Sequence, residues 1–272
     1  MTDSPISVGA ASADPASVHV ADGPLTGRTA LVTGGGTGLG AAITRALHAS
    51  EASVVITGRR AEPLEALAAE LERVEARVCD VADPASVADL AAALTDREIS
   101  IVINNAGSAG PVAPLTEIDV DAWDEVFDIN VRGVFLVCRA FLPGMVARGH
   151  GDVINLASVS GKRPLVRRTP YCASKMAVIG LTSTLAFEVG PSGVNVNSLS
   201  PGPVDGPRMD RNFRLEAERS GSTYDEAVDT FVSRAALGRM VTETEVGAAV
   251  VAMLAMPGLC GADIDLSAGM VA

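Results

Sequence analysis

Thr29-Ala30-Leu31-Val32-Thr33-Gly34-Gly35-Gly36-Thr37-Gly38-Leu39-Gly40-Ala41-Ala42-Ile43 runs from a short β-branched strand through a glycine-rich turn into an Ala-rich helix. Glycines let a backbone turn sharply and come close to a ligand, and the free N–H groups and positive dipole end of a helix start favour an anion. The spacing is G-x-x-x-G-x-G rather than the commoner dinucleotide fingerprint. A purely structural strand-to-helix turn is the competing reading; the position directly after the first strand favours phosphate binding, through Gly34, Gly36, Thr37, Gly38, Leu39 and Gly40.

Outward from this turn, short apolar runs alternate with longer Ala/Leu-rich ones. Thr29–Val32, Ser53–Thr57, Ala76–Cys79, Ile99–Ile103, Asp152–Leu156, Val194–Leu199 and Asp263–Leu266 read as strands. Gly38–Ser50, Glu62–Val74, Pro84–Leu94, Val120–Arg148, Tyr171–Val189 and Glu243–Met256 have apolar residues at three- and four-residue intervals and read as helices. Such alternation demands right-handed crossovers, so the expected fold is α/β, a single-domain Rossmann architecture: a doubly wound, seven-stranded parallel sheet with helices on both faces. Ligands in such sheets sit beyond the carboxyl ends of the strands. Residues 1–24, rich in Ser, Ala, Asp, Pro and Gly, read as a disordered leader before a domain spanning 25–272.

At 272 residues, 48% apolar but only 3% aromatic, the chain suits one aliphatic core. A net charge of −12 argues against nucleic acid as a partner. No run approaches the roughly 18 uninterrupted apolar residues of a membrane span, and no basic and apolar N-terminal stretch marks secretion, so a cytoplasmic location without membrane attachment is expected. Cys79, Cys138, Cys172 and Cys260 lie far apart and read as reduced, mostly buried thiols; His19, His48 and His150 have no ligand-like spacing, so no metal is expected.

Two further stretches carry chemistry. The second strand ends in Val55-Ile56-Thr57-Gly58-Arg59-Arg60, without the acid that would bond an adenosine ribose and repel a 2′-phosphate. Guanidinium forks match phosphate oxygens, so Arg59 and Arg60 favour NADP(H), with NAD(H) possible; for Arg60 a solvated helix-start cation is the alternative. Tyr171-Cys172-Ala173-Ser174-Lys175 sets a phenol and an ammonium one helical turn apart on one face. A phenol is a poor base at neutrality, and a neighbouring cation stabilises its phenolate, as a proton donor to a carbonyl oxygen requires. Ser158, just past the fifth strand, is placed to hold the substrate oxygen. Asn130, a polar residue inside an apolar helix, is placed to open that helix around a water that relays protons to Lys175.

These motifs resemble those of the classical short-chain dehydrogenase/reductase family: Thr33–Gly40 its T-G-x-x-x-G-x-G, Asn104-Asn105-Ala106-Gly107 its N-N-A-G, Tyr171 and Lys175 its Y-x-x-x-K, and Pro201-Gly202 its P-G after the sixth strand. The resemblance runs from about Leu25 to Ala272. It implies a catalytic tetrad of Asn130, Ser158, Tyr171 and Lys175. It also implies that Asp80 and Val81 meet the adenine, that Asn105, Ala106 and Gly107 line the cofactor, that Tyr171 and Lys175 border it, with Lys175 on the nicotinamide ribose, and that Pro201, Gly202 and Val204 flank the nicotinamide. A homotetramer, or a homodimer, is the assembly it implies. Two departures qualify it: the usual threonine after Pro201-Gly202 is absent, and Ser267-Ala268-Gly269 stands where many relatives carry D-G-G.

The implied function is reversible hydride transfer between a nicotinamide and a small carbonyl or alcohol substrate, in a carbonyl reductase. The alternatives are a catabolic alcohol or sugar dehydrogenase and, in a different class, a non-catalytic sensor or scaffold. Residues 203–240 read either as a substrate lid or as a segment packed on the sheet or another subunit. Lys162, Arg163, Arg167 and Arg168 place four cations between Ser158 and Tyr171; an anionic substrate, a solvated loop and an intersubunit ion pair are the readings open for them.

Overall fold

Alternation of side chains along a strand builds the two cores of this molecule. In the computed structural model, which describes residues 25–270, β1 (Thr29–Thr33), β2 (Ser53–Gly58), β3 (Val74–Val78), β4 (Ile99–Asn104), β5 (Gly151–Leu156), β6 (Val194–Pro201) and β7 (Asp263–Leu266) form one parallel sheet in the order β3-β2-β1-β4-β5-β6-β7. The leader expected over residues 1–24 lies outside the described residues. Ala30, Val32, Ile56, Ile101 and Ile103 point to one face; Leu31, Val55, Val102, Val153 and Val196 point to the other. Both faces are apolar because both are covered.

On the first face lie α1 (Gly38–Ala49), α2 (Ala61–Glu70) and α10 (Glu243–Leu254), through Ile43, Leu47, Leu64, Leu67, Val246 and Val250. On the second lie α3 (Pro84–Ala93), α5 (Gly133–Arg148) and α7 (Thr169–Val189), through Val87, Leu90, Val137, Met145 and Val178. Strand order reverses between β1 and β4, which opens the crevice where doubly wound folds bind ligands. The carboxyl ends there carry Thr33, Asn104 and Leu156.

Two expectations need correction. The single helix expected over Val120–Arg148 is α4 (Val120–Phe127), a π-helical turn Asp128–Arg132, and α5. The extra residue in the turn swings Asn130 out of the apolar stripe and toward the crevice. Within residues 203–240, for which a lid and a packed segment were the two readings, α8 (Pro207–Ser220) and α9 (Tyr224–Val232) pack on each other, with the Phe213 ring 5.2 Å from Phe231 and 6.1 Å from Tyr224. Of the four thiols, Cys79 and Cys138 are buried, Cys172 is partly exposed and Cys260 is exposed. Burial pushes Cys138 up to about 12.

At the opposite, amino end of the strands, Arg28 stitches the sheet. Its Nη2 donates to Asp152 Oδ2 at 2.6 Å and to the Ser100 carbonyl at 2.9 Å, while Asn195 donates to Asp152 Oδ1 at 3.1 Å. Truncating Asp152 leaves a partly buried guanidinium and an amide without their acceptor. Asp152→Ala is expected to lower unfolding free energy by about 1–3 kcal/mol in urea titration, with NADPH affinity unchanged, because the tie lies at the edge remote from the glycine turn.

Candidate active site

The glycine turn is fixed by a backbone contact that tolerates no side chain. A Cβ at Gly40 would lie 1.9 Å from the Gly34 carbonyl oxygen, so α1 starts directly against the turn. Gly34 itself sits at φ +63, in the left-handed region that favours glycine. Asn105 braces the turn from β4: its Nδ2 donates to the Thr33 and Gly34 carbonyls at 3.0 and 3.2 Å. Thr33 Oγ1 in turn accepts from the Asn105 and Ala106 N–H groups, both at 3.0 Å. Thr37, the residue before α1, makes no side-chain cap, so the first-turn N–H groups remain disposed toward an external anion.

A cleft of about 440 Å³ opens from this turn along the carboxyl ends of β2 and β3. Of the residues singled out from sequence, Gly34, Gly36, Thr37, Arg59, Arg60, Asp80, Val81, Ala106 and Gly107 line it. Gly38, Leu39 and Gly40 form the first turn of α1 beside it, and Leu39 packs against the apolar core. Asn105 supports the floor from behind. Sequence reasoning missed Thr57, Leu64, Cys79, Ser108 and Ile129, which also line the cleft; Cys79, Ser108 and Ile129 adjoin Asp80, Gly107 and Asn130, which were singled out. Asp80 Oδ1 accepts from Ala82 N–H at 3.0 Å and its own N–H donates to Ser86 Oγ at 3.0 Å, which fixes the loop after β3. The elongated cleft, the glycine turn at one end and the paired guanidiniums at its side fit a dinucleotide with an adenosine phosphate.

Two of the catalytic candidates, Lys175 and Asn130, meet beside Gly107. Lys175, 6% exposed, donates from Nζ to the Leu156 carbonyl at 2.7 Å, and its Nζ stands 5.9 Å from the Tyr171 ring centroid. A Cβ at Gly107 would lie 3.6 Å from Lys175 Nζ and 3.2 Å from Asn130 Oδ1, so the cleft's inner end meets the catalytic group there. Asn130, 1% exposed, accepts from Ser108 N–H at 2.7 Å and donates to the Ser108 carbonyl and Ser174 Oγ, both at 2.9 Å. Ser174 Oγ donates to the Tyr171 carbonyl at 2.8 Å. Ser158 is the N-cap of α6 (Val159–Lys162), where its Oγ accepts from Ser160 N–H at 3.2 Å; the hydroxyl proton is thereby left to donate.

Ser174 and Gly161 shape the candidate site and were missed by sequence reasoning. Ser174 links Asn130 to the Tyr171 backbone. A Cβ at Gly161 would lie 2.9 Å from Met176 N, so only glycine lets α6, and Ser158 at its start, pack directly on α7. Pro201 ends β6, and Gly202 and Val204 follow it at the same edge; none of the three is part of the cleft wall. Gly202 N–H donates to the Leu266 carbonyl at 2.8 Å, and Val204 bridges to Val241.

A sequence profile described as short chain dehydrogenase matches residues 28–218. The chain is 42% identical over 207 residues to the D-threitol dehydrogenase of Mycolicibacterium smegmatis, covering 70% of this chain and 79% of that one. Among solved structures, a point variant of the actinorhodin polyketide ketoreductase with NADPH superposes with a TM-score of 0.84 at 30% identity, covering 89% of this chain and 97% of that one. NAD+-bound xylitol dehydrogenase gives 0.83 at 29% identity, covering 90% of this chain and all of the other. The protein described here belongs to the short-chain dehydrogenase/reductase family of NAD(P)-dependent oxidoreductases.

Proposed function

We propose that this enzyme is an NADPH-preferring carbonyl reductase acting on a small ketone or aldehyde, with the reverse alcohol oxidation available to it. The observation that carries the reading is the meeting of the two machines at Gly107, where the glycine-lined cleft ends against Lys175 and Asn130. When bound, the nicotinamide supplies or accepts the hydride at its C4. Gly34, Gly36, Thr37, Gly38, Leu39 and Gly40 would hold the pyrophosphate. Asp80 and Val81 would border the adenine, Asn105, Ala106 and Gly107 the middle of the cofactor, and Pro201, Gly202 and Val204 the nicotinamide.

The chain's own residues handle the proton. Tyr171 donates its phenolic proton to the carbonyl oxygen during reduction and takes it back during oxidation. Ser158 directs its hydroxyl proton at the same oxygen and stabilises developing alkoxide charge. Lys175, fixed by the Leu156 carbonyl, keeps a cation beside the phenol and would hold the nicotinamide ribose of a bound cofactor. Asn130 and Ser174 hold the backbone of the Tyr171 turn against the Ser108 loop. A non-catalytic sensor needs the phosphate turn but none of these five groups. Residues 203–240, anchored by Asp205 N–H on Val241 and Leu237 N–H on Ala268, serve as the substrate lid.

A second reading, NAD-linked polyol oxidation, has its support in the likeness to the D-threitol and xylitol dehydrogenases. Cofactor choice separates the two. Arg59 and Arg60 favour NADPH, yet Arg59 also borders a smaller hollow of about 300 Å³ walled by Asp121, Asp124, Glu125 and Asp128. The preference therefore hangs on the guanidinium. A homotetramer or homodimer in the cytoplasm belongs to the same reading; Phe135, Met176 and Phe187, exposed on α5 and α7, support self-association.

Tyr171→Phe is expected to lower kcat by about 10²–10⁴ against a ketone panel while NADPH fluorescence titration gives an unchanged Kd; turnover near wild type contradicts the proton assignment. In the same titration the wild-type protein is expected to bind NADPH more tightly than NADH. Arg59→Ala should erode that ratio by about tenfold or more, the loss of one charge-assisted phosphate contact. A ratio untouched by the substitution removes Arg59 as a 2′-phosphate ligand.

A further inference from the structure

The four cations between Ser158 and Tyr171 separate into two pairs with different surroundings. Lys162 bonds the carboxylates of Asp263 and Asp265, and Arg163 reaches the Met270 carbonyl at 2.6 Å and Asp265 at 3.4 Å, so this pair fastens the loop to β7 and the C-terminal turn. Arg167 donates from Nη2 to the Val112 carbonyl at 3.5 Å, in the segment after β4, and Arg168 is the residue that precedes the catalytic helix. Arg167 holds φ +66, a conformation that a non-glycine residue keeps only where its surroundings enforce it. The enforcing contacts are visible: the Arg167 carbonyl accepts from Ala113 N–H at 3.1 Å, and Arg168 N–H donates to the Leu165 carbonyl at 3.2 Å.

This strained step delivers Arg168 to the start of α7, where its carbonyl accepts from Cys172 N–H at 2.9 Å and its guanidinium carbon stands 5.8 Å from the Tyr171 ring centroid. The Ala113 contact also closes the loop onto the segment after β4, so the loop step that carries Arg168 to the Tyr171 ring is held in place. In a chain of net charge −12, a cation held this close to the proton donor is a local reversal of field.

We propose that Arg168 is a specificity-determining residue that receives a carboxylate of the substrate, so that the preferred substrate is an oxo acid with its carboxylate one or two carbons from the reacting carbonyl. The inference rests on the carbonyl reductase reading given above. A substrate whose carbonyl oxygen meets Tyr171 and Ser158 brings a carboxylate at that separation within reach of a guanidinium beside the phenol ring. The planar fork matches two carboxylate oxygens, a geometry that an ammonium or a neutral amide does not reproduce. The bond selects among ketones by an interaction that a neutral isostere cannot make.

Acetoacetate and its methyl ester, nearly isosteric and differing in charge, are the probes. Their dissociation constants are measured by calorimetry on the complex with NADP+, where no reduction occurs, for wild type, Arg168→Ala, Arg168→Gln and Arg168→Lys. The wild-type protein is expected to bind the acid at least about tenfold more tightly than the ester, as one charge-assisted contact implies. Both neutral variants should lose that ratio and the lysine variant should keep part of it. An acid-to-ester ratio equal in wild type and in the folded glutamine variant overturns the proposal. So does an equal loss for acid and ester with a displaced kcat pH profile, which would mean that Arg168 serves Tyr171 alone. Reduction of the ester by NADPH is followed in parallel; its absence across a ketone panel would refute the reductase reading, while the calorimetric ratio still decides the carboxylate site.

Discussion

The hydrogen bond from Lys175 Nζ to the Leu156 carbonyl is the contact on which the rest of the site depends. An ammonium taken out of water must be paired or hydrogen-bonded, and the end of β5 is where it finds an acceptor. That bond ties α7, which carries Tyr171, to the strand that leads two residues later into Ser158. A second tie lies seven residues along the same face of α7. Asn155 Nδ2 donates to Thr182 Oγ1 at 2.9 Å, and Asn104 Nδ2 donates to Asn155 Oδ1 at 2.8 Å. Strand and helix are thus gripped at two points, and the separation of phenol, ammonium and hydroxyl follows from backbone rather than from loop conformation.

The second constraint is close approach without side chains. Gly40 against Gly34 brings α1 onto the phosphate turn, and Gly161 against Met176 brings α6 onto α7. One contact shapes the cofactor end and the other the catalytic end. Gly107, between them, leaves room for Asn130 and Lys175 at the join. Any Cβ at the first two positions would push apart elements whose registry the chemistry needs.

Much of this was legible in the chain. Strand positions followed from β-branched runs because both faces of a parallel sheet are buried, and Asp263–Leu266 was read with its observed bounds. The glycine turn and the Tyr171/Lys175 pair were legible because their spacing is their mechanism. What escaped was set by tertiary contacts. The π-helical turn at Asp128–Arg132 has no periodicity of its own and exists because Asn130 finds Ser108 and Ser174. Ser174 looked like any helical serine until its partners were in place. The basic loop read as one cluster of four cations, whereas Asp263 and Asp265, about a hundred residues later, take Lys162 and Arg163 as a fastening pair and leave Arg168 beside the Tyr171 ring. Within 203–240 the two helices themselves were not read; Phe213, Tyr224 and Phe231 meet across them.

The central claim is that a hydride leaves the cofactor held in the glycine-lined cleft for a carbonyl carbon held at Tyr171. Its most direct test uses NADPH deuterated at both C4 positions, with a panel of acyclic, cyclic and oxo-acid ketones, and mass spectrometry of the products. The account predicts one deuterium on the carbinol carbon of the accepted substrate, in the wild type and not in Tyr171→Phe. Tight binding of the labelled cofactor with no deuterium in any product would contradict it, and would leave a dinucleotide-binding protein without the reaction.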